Sequence, residues 1–414
     1  MRLLAILALL SFAPVQATER DAHADLDTAP HLYWETHPKD RFTQLADAIE
    51  AGRISLTPGD ELSVLHQLLD ELDIPVSSQL LVFSATSLQS GLINANRPRA
   101  IYFNDDTSVG YVPGGRFEIL SIDPALGAIF YIFDIPRDGR LPVIDRSTRC
   151  MNCHSGERQN FVPSHAVESA IPSITGGTLE AFRRNQFGHG IPFEERFGGW
   201  HITGEGSIKK HHGNLVGKLS PKGLQTQYFR PGEHFNWSNY PVQTSDMLAH
   251  LLHEHQAGFI NLVIEGTYRA RHAQHLSNGQ LTQEQQSLLD QHAQKIVRYI
   301  LFADEVPLPP GGIAGDPAYK TAFQKFNRHA LPNHHNASLR DLDLRTRLLR
   351  FRCSYMIHTE LWDQMPAPLK DRVHHHLASA LNLTNPHPAY AYLPPTEKQA
   401  IRIILTQTKH LTFP

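Results

Sequence analysis

The chain has 414 residues, 41% of them hydrophobic, with 38 Lys and Arg against 41 Asp and Glu for a formal net charge of −3. The apolar content supports an ordinary globular core, and the length suits two or three domains of about 100–200 residues each. The charge gives no polyanion-binding signature, so no nucleic-acid partner is expected.

The first seventeen residues, MRLLAILALLSFAPVQA, are patterned as a signal peptide. Arg2 supplies the positive start. Leu3 to Phe12 is an apolar run of signal-core length, too short to span a bilayer, and Pro14 breaks it. Val15 and Ala17 then predict cleavage after Ala17 and a periplasmic location. No later run approaches a membrane-spanning length, so no transmembrane segment is expected after cleavage.

Residues 18–136 are expected to form a helical lead-in and an antiparallel β domain. Helices are predicted over Arg41 to Ala51 and Pro58 to Leu72, the second with Thr57 as N-cap and Pro58 at the first helical position. From about Leu80 the apolar period shortens. QLLVFSA, RAIYFND, VGYV, RFEILSID and GAIFYIFD read as strands separated by turn signals such as Asn104–Asp106 and Pro113–Gly115. Residues 137–240 are loop-rich. Residues 241–414 are mainly helical, with helices expected from Ser245 to His272, Thr282 to Phe302, Arg340 to Arg350, Pro366 to Leu381 and Thr396 to Thr408. The PLPPGGIAGDP segment from Pro307 reads as a linker. The predicted class is α+β: an antiparallel sheet region, a loop-rich c-type haem region, then a mainly helical C-terminal half.

That central region carries RCMNCHSGE, from Arg149 to Glu157, which holds two of the chain's three cysteines. Cys150-x-x-Cys153-His154 is the attachment pattern of one covalent haem c. Two thiols at this spacing add across the two vinyl groups, and the next residue, His154, is placed to bind iron as proximal ligand. Attachment follows export, so the signal peptide agrees independently. Zinc and a Cys150–Cys153 disulfide are the competing readings. A structural zinc site needs four ligands, usually from a second Cys/His pair, and Cys353 alone does not supply one. Redox disulfides of this spacing open a helix near a βαβ pattern, which the sequence lacks. Cys353, in LRFRCSYMIH, reads as a buried, inert thiol.

The chain resembles a group of large exported bacterial proteins with a single CxxCH motif, described only as cytochrome c domain-containing. The resemblance rests on SQLLVFSATSLQ, RPRAIYFNDDTSVGYVPGG, RCMNCH, FEERFGGWHITGEG, HHGN, DMLAHLLHEHQ and SLRDLDLRTRLLRFRCSYMIH, and so covers most of the mature chain. It implies haem binding and electron transfer with a redox partner protein, and no established substrate. The group has a histidine shortly after the ITG block where this chain has Gly206. The leading function is a periplasmic monohaem c-type cytochrome acting in electron transfer. The alternatives are a peroxidase-like or oxidase-like haem enzyme with an open distal site, argued from the roughly 300 residues beyond a carrier domain, and a haem-based sensor or docking subunit. Whether the protein is an enzyme stays open.

A second axial ligand is sought on the long helix. Leu248, Leu251, Leu252, Phe259, Leu262 and Val263 form an apolar stripe with His255 near its centre, while His250 and His253 are expected to face solvent. His255 is therefore the tentative distal ligand or pocket residue, against the plainer role of a core histidine bonded to a carbonyl or carboxylate. With 26 histidines in the chain, His165, His189, His211 and His212 compete, and Met247 is the one methionine in that region. FEERFGGWHITG offers Glu194, Glu195, Arg196 and Trp200, either as a haem-edge lid or as an ordinary bend with a buried tryptophan and a surface ion pair; Gly198 and Gly199 permit close backbone approach there. SLRDLDLRTRLLR brings together Arg340, Asp341, Asp343, Arg345 and Arg347, read as ion pairs rather than acid/base chemistry.

Overall fold

The computed structural model describes residues 22–136, 143–182, 188–204 and 206–413. The signal-peptide segment 1–17 lies outside the described residues. Strands β1 (Leu80–Val82), β2 (Arg99–Phe103), β3 (Thr107–Tyr111), β4 (Arg116–Asp123) and β5 (Gly127–Asp134) form an antiparallel meander, as the β-rich runs and turn residues between 80 and 135 predict. Two short strands from the loop-rich region extend it. β6 (Asp145–Arg146) pairs with β5, and β9 (Trp200–His201) pairs with β1, giving the order β6-β5-β4-β3-β2-β1-β9. Two separate hairpins, β7 (Ser169–Pro172) with β8 (Thr178–Phe182), and β10 (Leu215–Ser220) with β11 (Gly223–Tyr228), stand beside it.

One face of the sheet is closed by α1 (Arg41–Glu50) and α2 (Glu61–Glu71). Asp40 caps α1 by accepting from the N–H groups of Phe42 and Thr43, and Asp60 does the same for α2 at Leu62 and Ser63. The cap of α2 is thus Asp60, not Thr57: a carboxylate one turn nearer the apolar run satisfies the orphan donors. Phe42 stacks on Phe133, and the Tyr111 hydroxyl donates to Glu61 at 3.1 Å.

After α3 (Met151–His154) come α4 (Met247–Leu276), α5 (Gln283–Ile300), α6 (Pro317–Lys325), α7 (Glu360–Asp363), α8 (Ala367–Ala380) and α9 (Pro395–Lys409). Arg340 to Arg350 is not helical. Asp343 accepts from the N–H groups of Arg345 and Thr346, both at 2.8 Å, and Leu344 adopts a left-handed φ of 61°, so the side chain closes a turn and Leu342 bridges to Leu349 instead. The α+β class holds, with the sheet in the N-terminal half and the helices in the C-terminal half.

The long helix α4 differs most from its sequence pattern. Of its 30 residues, 22 are buried, including His250, His253, Glu254, His255 and Gln256. Every residue from Met247 to Asn261 is buried, and beyond it a stripe of Leu262, Glu265, Arg269 and His272, all half-buried, runs out to the exposed Leu276. Residues near one end touch the β2–β3 turn, where Gln256 reaches Asp105. Further along, the Tyr268 hydroxyl donates to the Leu126 carbonyl in the β4–β5 turn at 2.7 Å. On the other side α5 and α8 press close. A Cβ at Gly258 would lie 2.1 Å from the Tyr299 hydroxyl, and one at Gly266 would lie 2.7 Å from Leu369. No helix among the described residues is long and apolar enough to cross a membrane.

Candidate cofactor site

The Cys-x-x-Cys-His segment follows directly from the sheet. The Ser147 N–H donates to the Phe130 carbonyl at 2.8 Å, extending the β5–β6 pairing, and the chain then turns into α3. That helix is a single turn, closed by the His154 N–H on the Cys150 carbonyl at 3.1 Å. Met151 is its anchor, buried in the core. One helical turn places residues three apart on one side, so Cys150 and Cys153 share a flank. Cys150 is half-buried and its thiol donates to the Ser147 hydroxyl at 3.2 Å; Cys153 is exposed. Burial pushes the Cys150 thiol up from its ordinary value. All three cysteines are free, and Cys353 is fully buried, as its apolar flanks predict.

His154 is held in one tautomer. Its Nδ1 lies 2.9 Å from the Ser164 carbonyl. A carbonyl only accepts, so Nδ1 carries the proton and Nε2 is left with its lone pair. Burial lowers the His154 pKa to about 4, with the Ser164 hydrogen bond opposing that shift, so the ring is neutral at neutral pH. Phe130 packs on the ring at 4.5 Å.

The strand register defines the floor beside it. Phe103, Ser108, Leu120 and Phe130 are cross-strand neighbours and share one face, opposite the face that α1 and α2 cover. His154 packs on Phe130 at one end of this row, and His253 packs on Phe103, at 4.8 Å, at the other. The adjacent row is Ile101, Gly110, Glu118 and Ile132. Ile101, Leu120 and Ile132 are only half-buried, as is Val167 nearby. Arg99 and Glu118 form an ion pair at 2.6 Å on this face, and Glu118 also accepts from Ser87 and Gln89. Arg99 Nε is buried without a hydrogen-bond partner. The charges of Arg99 and Glu118 bear on both Cys150 and His154.

Against a covalent haem, the proximal half fits. Two free thiols flank one side of a helical turn, an imidazole offers a free Nε2, and a half-exposed apolar floor adjoins them. An orphaned guanidinium nitrogen lies at hand for an acidic group. The zinc reading gains no support, since no cluster of three or more His, Cys, Asp or Glu side chains among the described residues could hold a metal ion.

The other nominated histidines disperse. His255 is fully buried with both nitrogens engaged, Nδ1 with His189 Nδ1 at 2.9 Å and Nε2 with the Ser354 hydroxyl at 2.7 Å. Its ring neighbours are Tyr299, Phe302 and Tyr355, from the helical half. His255, nominated as tentative distal ligand, thus has the surroundings of the plainer alternative, a hydrogen-bonded core histidine, and it faces away from His253, two residues and about 200° earlier on the helix. His189 belongs to the same cluster, between Tyr299 and Phe302. His211 accepts the Gly213 N–H at 3.0 Å, and His212 stacks on Phe182. Met247 is buried in the first turn of α4. Trp200 is buried, its indole N–H donating to the Glu168 carbonyl at 3.0 Å. Arg196 is not at the surface: it is 1% exposed, bonded to the Ile191 carbonyl and paired with Glu254 at 3.3 Å. Asp341 pairs with Arg328 at 2.7 Å, and Arg340 pairs with the buried Asp105, which agrees with ion pairing in that block.

The histidine that the fold does bring beside the motif is His165. Burial, together with the charges of His253 and His154, holds it well below its ordinary pKa. Its backbone is gripped by Asn261 of α4, which accepts the His165 N–H at 2.8 Å and donates to its carbonyl at 3.0 Å. His165 directly follows Ser164, whose carbonyl holds His154 Nδ1, and its ring meets that of His253 edge-on at 5.8 Å. Sequence reasoning missed Asn261, the Ser164 carbonyl and His253. A carbonyl acceptor leaves no trace in a side-chain pattern, and His253 falls off the apolar stripe in the half of α4 where every residue is buried.

No protein-family model, no curated protein and no solved structure matches this chain.

Proposed function

We propose that the protein is a periplasmic c-type cytochrome with one haem, thioether-linked to Cys150 and Cys153 and bound through His154 Nε2, that exchanges electrons with a redox partner protein. The observation that carries this reading is the orientation of His154, with Nδ1 tied to the Ser164 carbonyl and Nε2 left as a lone pair beside two free thiols. The haem would supply reversible one-electron chemistry at its iron. The protein's own groups do the rest. Ser164 fixes the imidazole tautomer and raises its basicity. Ile101, Leu120, Ile132 and Phe130 present an apolar floor that excludes water, and Arg99 offers a charge-assisted donor to an acidic substituent. Residues 1–17 would direct export, and the CxxCH group that the chain resembles is exported in the same way.

The test is acid–acetone extraction of protein matured in a periplasm. Colour should stay with the polypeptide. Complete release of free haem, or a colourless protein, overturns the proposal. Cys150→Ser with Cys153→Ser should abolish attachment, and Cys353→Ser should leave it intact.

A further inference from the structure

We propose that the β10–β11 hairpin is a docking surface for an anionic lipid bilayer. This goes beyond the haem reading and does not depend on it. From Gly206 to Gly232 the sequence has no Asp or Glu and five cations: Lys209, Lys210, Lys218, Lys222 and Arg230. All five side chains are exposed. Among the described residues the nearby carboxylates are Glu233, which accepts the backbone N–H of Arg230 at 2.8 Å, and Glu180 and Glu195, which lie beside His212. The formal charge of the chain is −3, so without these five it is −3 − 5 = −8. A negatively charged surface therefore repels the rest of the molecule and turns this hairpin toward itself.

Its shape suits a bilayer better than a protein partner. The six paired positions from Leu215↔Tyr228 to Ser220↔Gly223 give a ribbon of about 20 Å, with cations at both root and tip. It packs on the β7–β8 hairpin through Gly217, where a Cβ would lie 2.8 Å from Ile171, while β11 is exposed along nearly its whole length. At the tip Leu219 is 64% exposed between Lys218 and Lys222, and Tyr228 at the root is 58% exposed. An apolar residue flanked by lysines, with an aromatic at the margin, matches the headgroup boundary of a membrane, where charge attracts and a short apolar side chain enters.

The test is co-sedimentation of the purified chain with phosphatidylcholine vesicles, with and without phosphatidylglycerol. Binding is expected only with phosphatidylglycerol, and it should fall steeply as salt rises from ~0.05 to ~0.5 M. Each cation removed should weaken it about fivefold, so Lys209→Gln, Lys210→Gln, Lys218→Gln and Lys222→Gln together should cost several hundred-fold on the order of that increment. Leu219→Asn should weaken binding about threefold to tenfold at every salt concentration. An unchanged circular dichroism spectrum and melting midpoint establish that the variant is folded; should the fourfold variant fail there, the pair Lys218→Gln and Lys222→Gln replaces it, with about a 25-fold loss. No binding to phosphatidylglycerol vesicles, or equal binding by the folded variant, overturns the proposal. So does salt-dependent binding to polyglutamate without binding to vesicles, which would identify an acidic protein as the partner. A haem-free chain that still binds vesicles separates this result from the cytochrome reading.

Discussion

His154 and Ser164 are joined twice: the imidazole Nδ1–H donates to the Ser164 carbonyl at 2.9 Å, and the Ser164 N–H donates to the His154 carbonyl, also at 2.9 Å. The ring and its backbone are thereby fixed to one neighbouring strand of chain, and the orientation of Nε2 depends on where that strand lies.

Asn261 sets the position of that strand. Asn261→Leu should leave the N–H and carbonyl of His165 buried and unpaired, at about 1–3 kcal/mol each. Urea unfolding should show a loss of roughly 2–5 kcal/mol. In protein carrying haem, the same change should broaden or shift the Soret band, because His154 loses its backstop. A stable variant with an unmoved band would show that Ser164 holds the ring without help.

His255→Gln should lower stability and leave the absorption spectrum of the haem-bearing protein unchanged. The side chain loses its bonds to His189 and Ser354 in a fully buried setting, worth about 2–4 kcal/mol together. A change from low-spin to high-spin bands would return His255 to the iron.

Acid should unfold the protein early. Burial lowers His23 and His31 to about 4, and His201 and His255 to about 3, whereas the unfolded chain titrates near 6.5. A depressed histidine contributes stability that is complete above about pH 6.5 and is lost as pH falls toward the folded value. Glu305 opposes this, since burial raises it to about 7 and it gains stability as pH falls toward 4.5. His154, also lowered to about 4, and His358, lowered to about 3, join these four imidazoles, so unfolding takes up more protons than Glu305 releases. Between pH 6 and 5 the unfolding free energy should drop, by about 1.4 kcal/mol for each net proton taken up. A flat profile over that interval would mean that these rings are charged in the folded protein.

Arg340→Met should destabilise by about 3–5 kcal/mol, because it strands the Asp105 carboxylate in the core. Asp105→Asn added to Arg340→Met should recover part of that loss, and a thermal melt series on the two single variants and the double variant reads the coupling directly.

The sheet was legible because the runs between 80 and 135 are short, rich in Ile, Val, Phe and Tyr, and separated by turn signals, and β4, with buried Phe117 and Ile119 between half-buried Glu118 and Leu120, adds alternation in the fold. The thiols and His154 were legible because their spacing is itself the chemistry. The rest failed for a common reason. A helical wheel presumes one dry face and one wet face, and the first half of α4, Met247 to Asn261, has no wet face, so the stripe around His255 separated nothing there. Local turn chemistry at Asp343 overrode helical periodicity near Arg345. The basic hairpin escaped notice because its cations are spread over 22 residues, from 209 to 230, and only the pairing of β10 with β11 gathers them.

The enclosure of α4 also bears on how the molecule comes together. Tyr33 reaches Ala128, Tyr268 reaches Leu126, Arg271 reaches the Pro30 carbonyl and Asp105 reaches Arg340, spans of 95 to 241 residues. The sheet half has no finished interior until the central helix arrives from the C-terminal half. Folding must wait for most of the chain to be present and is slowed by such distant closures. A nick between 136 and 143 should therefore leave two fragments that stay associated and lose their structure together, in a single cooperative transition.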